Sequence, residues 1–180
     1  MHRQPLLKSL DTYRLNHPEE MQTARRFIDF VSSNEACFER TLAIGHVTGS
    51  AWLVNESGTD VLLTHHRKLN LWLQLGGHAD GDPDVLAVAL REAFEESGLK
   101  QITPVSAEIL DIDIHRIPAR KNEPEHDHYD VRYAMRATGD LSYVVSDESH
   151  DLQWIPIGEI KRLTDENSML RMAAKWRLLQ

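Results

Sequence analysis

The chain has 180 residues, of which 41% are hydrophobic and 27% are charged. This composition can build a hydrophobic core and excludes a chain that is disordered throughout. The 20 Lys and Arg residues against 28 Asp and Glu give a net charge of −8. That charge argues against non-specific binding to nucleic acid or to an anionic membrane, because the average field repels phosphate.

The cellular setting can be predicted from two simple features. The one cysteine, Cys37, cannot form an internal disulfide, and its expected role is that of a small buried side chain. The sequence contains no run of about 18 apolar residues, and residues 1–10 lack the apolar core of a secretory signal. We therefore expect a soluble, cytoplasmic protein.

Residues 1–40 are predicted to form a helical N-terminal extension to a main domain at residues 41–180. Pro18 suits the first position of a helix, and Glu19 and Glu20 are favourable at that end. Apolar residues then recur at helical spacing, at Met21, Ala24, Ile28 and Val31.

From about residue 42 the hydrophobic period changes to two, which predicts strands. Two strands, at 45–54 and 61–65, flank a turn, and a third at 69–75 is predicted to end at Gly76 and Gly77. Later extended segments are predicted at 105–115, 128–138 and 153–156.

A terminal helix is predicted from an apolar stripe formed by Met169, Leu170, Ala173, Trp176 and Leu179. Helix, strands, helix, strands and helix together predict one α/β or α+β domain, in which helices cover a mixed sheet.

The stretch between the predicted strands at 69–75 and 105–115 contains the strongest candidates for catalytic and metal-binding residues. Asp82 is a suitable N-cap and Pro83 a suitable first residue for a helix that Gly98 would end in a left-handed conformation. Near the C-terminal end of that helix, carboxylates crowd one side at positions i, i+3 and i+4, namely Glu92, Glu95 and Glu96.

These like charges repel one another, and the helix dipole disfavours anions at that end. Arg91 neutralises part of the cluster. A solvated face could tolerate the remainder, and a hard divalent cation such as Mg²⁺ could neutralise it. Gly76 and Gly77 favour the interpretation as a metal site, because backbone carbonyls without a neighbouring side chain can approach an ion closely.

This stretch resembles the Nudix box, a glycine followed at fixed spacing by R-E-hydrophobic-x-E-E-x-G-hydrophobic. The matching positions are Gly77, Arg91, Glu92, Glu95, Glu96, Gly98 and Leu99. Two positions depart from the pattern, since Pro83 replaces the first glutamate of the box and Ala93 stands where an aliphatic residue is usual. The resemblance implies an α/β/α sandwich around a mixed sheet.

The resemblance also implies an activity, the Mg²⁺- or Mn²⁺-dependent hydrolysis of a diphosphate linkage in a nucleoside di- or triphosphate derivative. Glu92 and Glu96 would be the principal metal ligands, and Glu95 would bridge or bind a second ion. The carbonyl of Gly77 would complete the protein's ligands, and Arg91 would hold the glutamates in position.

A second group of polar residues alternates along one predicted strand. His126, His128, Asp130 and Arg132 share one face, which could line a substrate cleft or be solvated. His-x-His is also a transition-metal spacing, but no further Cys or His set stands in register, which disfavours zinc. Arg67, in a cluster with His65, His66 and Lys68, could meet a substrate phosphate or end a surface strand.

Three other side chains are candidates for substrate binding or catalysis. In several Nudix subfamilies an acidic residue in a late loop acts as a base, and Glu148 has that place here. Trp72 and Tyr129 could stack on a nucleobase, although packing in the core is more common.

Two alternative functions follow from the same residues. A non-catalytic Nudix-like module that binds a nucleotide is favoured by Pro83 and opposed by the complete glutamate set. A relative of isopentenyl-diphosphate isomerase is disfavoured, because that chemistry resembles one that needs a cysteine beside the box, whereas Cys37 lies far upstream. The sequence leaves the oligomeric state open, a homodimer included.

Overall fold

The computed structural model describes residues 2–119, 124–147 and 149–180. Its α-helices are α1 (Gln4–Asn16), α2 (Met21–Ser33), α3 (Val85–Ser97) and α4 (Asn167–Leu178). Its strands are β1 (Gly45–Val54), β2 (Asp60–His66), β3 (Leu71–Leu73), β4 (Leu75–His78), β5 (Ile102–Pro104), β6 (Asp111–Ile117), β7 (His126–Ala137) and β8 (Ser149–Pro156). Short 3₁₀ helices occupy Pro18–Glu20 and Ile157–Arg162.

Strand β1 is the centre of the sheet. It runs parallel to β7 along its whole length and antiparallel to β2 and β4. Strand β2 also pairs with β3 and β8, and β7 also pairs with β5 and β6, each time antiparallel. One parallel pair among antiparallel ones makes the sheet mixed, as predicted.

Alternate residues of β1 supply two separate hydrophobic clusters. Val47 and Ala51 belong to the cluster that contains α1, α2 and α3, whereas Trp52 and Val54 belong to the cluster that contains α4. Since successive strand residues point to opposite faces, helices cover both faces of the sheet. This confirms the predicted sandwich of helices around a mixed sheet, with helices at the N-terminus.

The N-terminal helices contribute large side chains to the first cluster. Leu10 on α1 and Phe27 on α2 are fully buried, and Phe30 stacks on the ring of Tyr129 with 3.7 Å between centroids. The boundary proposed near residue 40 therefore separates elements that share one buried cluster. None of the helices in the described ranges is long and apolar enough to cross a bilayer.

Several predicted boundaries are wrong by a few residues. Pro18 begins a 3₁₀ turn, and α2 begins at Met21. Gly76 and Gly77 lie inside β4 instead of ending a strand, because they pair with β1 there. Leu179 is 62% exposed, because α4 ends one residue before it.

The predicted strand at 105–115 overlaps an observed strand only at residues 111–115, and residues 105–110 form no strand. Residues Ile102–Pro104 form β5 and residues Asp111–Ile117 form β6, and both pair with β7. The last extended segment begins earlier than predicted, since β8 starts at Ser149.

Candidate active site

The carboxylate of Glu92 lies directly against the backbone of β4. A Cβ atom built on Gly77 would come within 2.4 Å of Glu92 Oε2 and 2.5 Å of its Cδ, which is closer than real Cβ contacts. Gly77 pairs with Gly49 on β1, where an added Cβ would lie 2.9 Å from the carbonyl oxygen of Val85. The two facing glycines therefore allow α3 to approach the sheet closely enough for Glu92 to reach β4.

Glu96 reaches the same strand one residue earlier. The amide of Gly76 donates a hydrogen bond to Glu96 Oε1 at 3.4 Å. Glu92 and Glu96 are four residues apart and so share a face of α3, which here is the face toward β4. Glu95 is exposed. The structure thus brings two of the three predicted glutamate ligands to β4 and leaves the third facing solvent.

Arg91 links the helix to the strand. Its Nη2 donates to the carbonyl oxygen of His78 and to Glu92 Oε1, both at 3.3 Å, and its Nη1 lies 3.7 Å from Asp82 Oδ2. A guanidinium has several donors in one plane, so it can hold a carboxylate and a backbone carbonyl together. Arg91 thus contacts both Glu92 and the backbone of β4, and its role in positioning the glutamates stays a prediction.

The helix that carries these glutamates has a defined cap at each end. Asp84, not Asp82, is the N-cap, and its side chain accepts a hydrogen bond from Ala87 N at 3.1 Å. Asp82 accepts instead from the amide of Asp84, and this turn places Pro83 before the helix. Gly98 ends the helix with φ of 69°, as predicted.

The residues beside β4 fit a hard divalent cation. Gly77 leaves room next to the Glu92 carboxylate that any side chain would fill, and Mg²⁺ commonly uses one or two carboxylates together with water and substrate phosphate. The glutamates of α3 do not form a three-carboxylate cluster. Within the described ranges, the groups of three or more His, Cys, Asp or Glu side chains with ligand atoms within 4.8 Å of one another are His46, His78 and His128, and His17, Glu19 and Glu20.

The opposite face of the sheet carries a cluster of histidines. His46 on β1 pairs with His128 on β7, and His128 pairs with His115 on β6. His78 on β4 pairs with Thr48, two residues along β1 from His46. Paired residues of neighbouring strands face the same way, so the rings meet on one side. The reason given above for disfavouring zinc was therefore wrong, because other strands bring histidines into register with His128.

Burial keeps two of these imidazoles uncharged. His46 is 3% exposed, and burial together with the nearby His78 and His126 lowers its pKa to about 4. Burial and the nearby His115 lower the pKa of His128 to about 2. In the described part of the chain, neither ring nitrogen of His46 has a hydrogen-bond partner.

Asp130 and Arg132, predicted with the histidines, belong to a buried ionic network. Arg132 donates to Asp130 at 2.7 Å and to Asp111 at 3.1 Å, and its side chain is 3% exposed. Asp130 also accepts from Thr48, Ser50 and Gln74. The alternation along β7 is as predicted, but Asp130 has its carboxylate oxygens engaged within the protein.

The remaining predicted residues are more scattered. Arg67 is exposed in the turn between β2 and β3, where it donates to the carbonyl oxygen of Ser149 at 2.9 Å. Trp72 stacks on His65 with 5.1 Å between ring centroids. Tyr129 packs between Phe27 and Phe30, so its ring serves the core. Glu148 lies outside the described residues.

Cys37 has the buried position expected for it. It is fully buried, and burial raises the pKa of its thiol to about 11. Such a thiol is a poor nucleophile at neutral pH. The structure therefore gives no support to a reaction that needs this cysteine.

Sequence reasoning missed His46, His78 and His115 as neighbours of His128. A signal was present in β1, where His46, Thr48 and Ser50 alternate with apolar residues. That alternation indicates a polar face but does not say which strand lies beside it.

The comparisons with known proteins identify the family and agree with the fold. A family model described as the NUDIX domain matches residues 45–176. Among curated protein sequences, none matches the chain significantly. In the solved structure of a NUDIX-family hydrolase from Clostridium perfringens, the matching chain is 27% identical with a TM-score of 0.58, and the match covers 75% of this chain and 98% of that one.

Two further solved structures share the fold at lower identity. The Ap4A hydrolase of C. elegans, in a binary complex, is 16% identical with a TM-score of 0.60, covering 74% of this chain and 96% of that one. The NUDIX domain of Shewanella oneidensis NrtR, complexed with ADP ribose, is 17% identical with a TM-score of 0.55. The match covers 84% of this chain and 96% of that one.

Proposed function

Because the chain belongs to the NUDIX family, we propose that it is a Mg²⁺- or Mn²⁺-dependent hydrolase. Its substrate would be a nucleoside di- or triphosphate derivative, in which it cleaves a diphosphate linkage. The observation that carries the proposal is the contact of the Glu92 carboxylate with the β4 backbone at Gly77. A glycine at this point leaves room for the carboxylate, because a Cβ atom there would overlap it.

Glu92 and Glu96 would hold the cation, together with the carbonyl of Gly77, while Glu95 would bridge or bind a second ion from the solvent side. Bound there, the cation would screen the diphosphate, lower the pKa of a coordinated water and orient that water toward phosphorus. Such a site also explains how a chain with a net charge of −8 could accept an anionic substrate.

The chain's own residues would keep this arrangement fixed. Arg91 holds the Glu92 carboxylate and the His78 carbonyl at once, so the side chain of α3 and the backbone of β4 keep their relative positions. We retain Glu148 as the proposed base, and Arg67, His126, His128 and Asp130 as proposed substrate residues. Of these, Asp130 would act by positioning its neighbours, since it accepts hydrogen bonds within the protein.

A second candidate function is a module that binds a nucleotide without hydrolysing it. Pro83 favours this alternative, because it provides no carboxylate where the box pattern has one. Pro83 lies in the turn before α3, next to the N-cap Asp84. The contacts of Glu92, Glu96 and Arg91 with β4 oppose the alternative.

A substrate panel would separate the two functions. We would incubate the full chain with Mg²⁺ and ADP-ribose, diadenosine tetraphosphate, or nucleoside triphosphates, and measure the release of nucleoside monophosphate and phosphate. The proposal predicts monophosphate release from at least one compound. It also predicts that Glu96→Gln lowers the rate by orders of magnitude.

The matched control is Glu108→Gln, which changes an exposed carboxylate in the segment between β5 and β6. This variant should hydrolyse the substrate at the wild-type rate. Binding of a panel compound without turnover in the wild type would instead support the nucleotide-binding module.

A further inference from the structure

The histidine cluster lies on the other face of β4 from Glu92. Gly77 faces α3, and His78, the next residue, faces the opposite way because strand residues alternate. The cluster is therefore distinct from the glutamate site, although the two are joined by one peptide. The following peptide, between His78 and Ala79, carries the carbonyl oxygen to which Arg91 donates.

Three of the rings form a nearly equilateral triangle. The ring centroids of His46 and His128 are 4.8 Å apart, those of His46 and His78 are 5.0 Å apart, and those of His78 and His128 are 5.1 Å apart. One ligand nitrogen from each ring lies within 4.8 Å of the others. Two nitrogens on one tetrahedral zinc ion are about 3.3 Å apart, since each Zn–N bond is about 2.0–2.1 Å. The separations between the three ligand nitrogens therefore exceed those on a zinc ion by at most about 1.5 Å.

His46 is the strongest evidence that the triangle has a ligand. It is only 3% exposed, and neither of its nitrogens has a hydrogen-bond partner among the described residues. A buried polar group without a partner is costly, because it has given up its hydrogen bonds to water without replacement. Its neighbours in the cluster are other imidazoles, and a cation held among them would give a ring nitrogen of His46 a partner.

The donor set points to one class of cation. The triangle contains nitrogen donors and no carboxylate, which is unsuited to Mg²⁺ or Ca²⁺. Imidazole suits Zn²⁺ and other divalent transition metals, and three histidines with one open position are a known zinc arrangement. A fourth ligand is near, since His126 Nε2 lies 3.3 Å from His128 Nε2.

From this geometry we propose that His46, His78 and His128 bind a divalent transition cation, Zn²⁺ being the best fit, with His126 or water as the fourth ligand. The ion would fix the side chain of His78 and so hold the β4 peptide that lies between the two sites. This second site does not depend on the glutamates of the proposed hydrolytic site, and it assigns His128 and His126 to a cation instead of to the substrate.

Cobalt(II) is a suitable probe, because its visible absorption reports nitrogen ligands and tetrahedral geometry. The full chain, without a polyhistidine tag and dialysed against a chelator, is titrated with Co²⁺ alone. We expect one equivalent to produce intense visible bands, and Zn²⁺ to abolish them by displacement. Co²⁺ uptake without those bands, or no uptake, would overturn the proposal.

Variants assign the ligands. His78→Asn, at a half-buried position, should remove the bands while circular dichroism stays native, and His128→Asn should do the same. His46→Asn is a third test, but its buried position makes misfolding a risk. The matched control His150→Asn, on an exposed residue of β8, should keep the bands. Bands that persist in both His78→Asn and His128→Asn would refute the site.

A final variant separates the two proposals. Glu92→Gln should bind Co²⁺ at the histidines as the wild type does, whatever its hydrolytic rate. Zn²⁺ should also raise the melting temperature of the wild type and of Glu92→Gln, but not that of His78→Asn. An equal rise in all three proteins would show that the stabilisation does not come from the histidines and would contradict the proposal.

Discussion

Gly77 is the position at which one added carbon would most disturb the proposed hydrolytic site. An added Cβ would overlap the end of the Glu92 side chain, whereas no backbone atom is among its closest contacts. The side chain of Glu92 can rotate away at little energetic cost, because its carboxylate is the flexible end. The requirement for glycine is therefore one of function more than of folding.

We expect Gly77→Ala to lower the hydrolytic rate strongly while leaving the melting temperature nearly unchanged, because only the carboxylate has to move. Steady-state rates with Mg²⁺ and thermal unfolding would be measured on the same preparation. Gly158→Ala is the control, since an added Cβ there meets nothing within 4 Å. A Gly77→Ala protein with the wild-type rate would show that the Glu92 contact has no role in turnover.

Helix α3 depends on its caps as well as on its apolar face. Its N-terminus is closed by Asp84, whose side chain accepts from Ala87 N, while Asp82 stabilises the preceding turn. Both aspartates are good N-cap residues, so their order could not be decided from the sequence.

Asp84→Ala should lower the free energy of unfolding by about 1 kcal/mol through loss of the N-cap. Asp82→Ala should have the smaller effect, because the Asp82 carboxylate accepts an exposed hydrogen bond from the amide of Asp84 in the turn before the helix. Urea denaturation of both variants would measure the difference. A larger loss for Asp82→Ala would mean that the helix begins where the sequence alone suggested.

A layer of buried charges joins β6, β7 and α4. Arg132 contacts three aspartates, and Arg171 and Lys175 on α4 both reach Asp111. Lys175 also contacts Glu20, just before α2. The layer thus connects the N-terminal helices, the sheet and the last helix through pairs that are far apart in sequence.

Arg132→Met should lower the free energy of unfolding by about 3–5 kcal/mol, because it leaves buried carboxylates without their shared cation. The change in the urea midpoint would measure the loss. Arg116→Met removes an exposed arginine that pairs with Asp127 and Glu125, and we expect a much smaller change. Equal losses of unfolding free energy in the two variants would show that the buried ion pairs of Arg132 stabilise the fold no more than the exposed ones of Arg116.

The N-terminal helices should unfold together with the sheet. Leu10 is fully buried in the shared cluster, so Leu10→Ala should cost about 2–5 kcal/mol. Leu15→Ala is the matched control, because Leu15 is 67% exposed. Circular dichroism and tryptophan fluorescence should give one coincident transition in each protein. Loss of helix before loss of the tryptophan signal would instead support an independent extension.

The sequence predicted what is local and missed what depends on strand pairing. The periodicity of α3, its left-handed end at Gly98 and the alternation along β7 are each encoded within about 15 residues. The meeting of His46, His78 and His128 depends on pairings across three strands, and no local pattern specifies those partners. Gly76 and Gly77 were expected to stop a strand, but they lie inside β4, where Gly76 packs closely against Ser50 and Gly77 leaves room for the Glu92 carboxylate.

The most direct test of the central claim compares turnover of Glu92→Gln and Glu108→Gln with the wild type, on the best panel substrate and at saturating Mg²⁺. Glu92 is the carboxylate that lies against Gly77, whereas Glu108 is exposed and outside the proposed site. We predict that Glu92→Gln loses activity by orders of magnitude with an unchanged melting temperature, and that Glu108→Gln keeps the wild-type rate. A near-normal rate in Glu92→Gln would contradict the proposed metal ligands and the mechanism built on them.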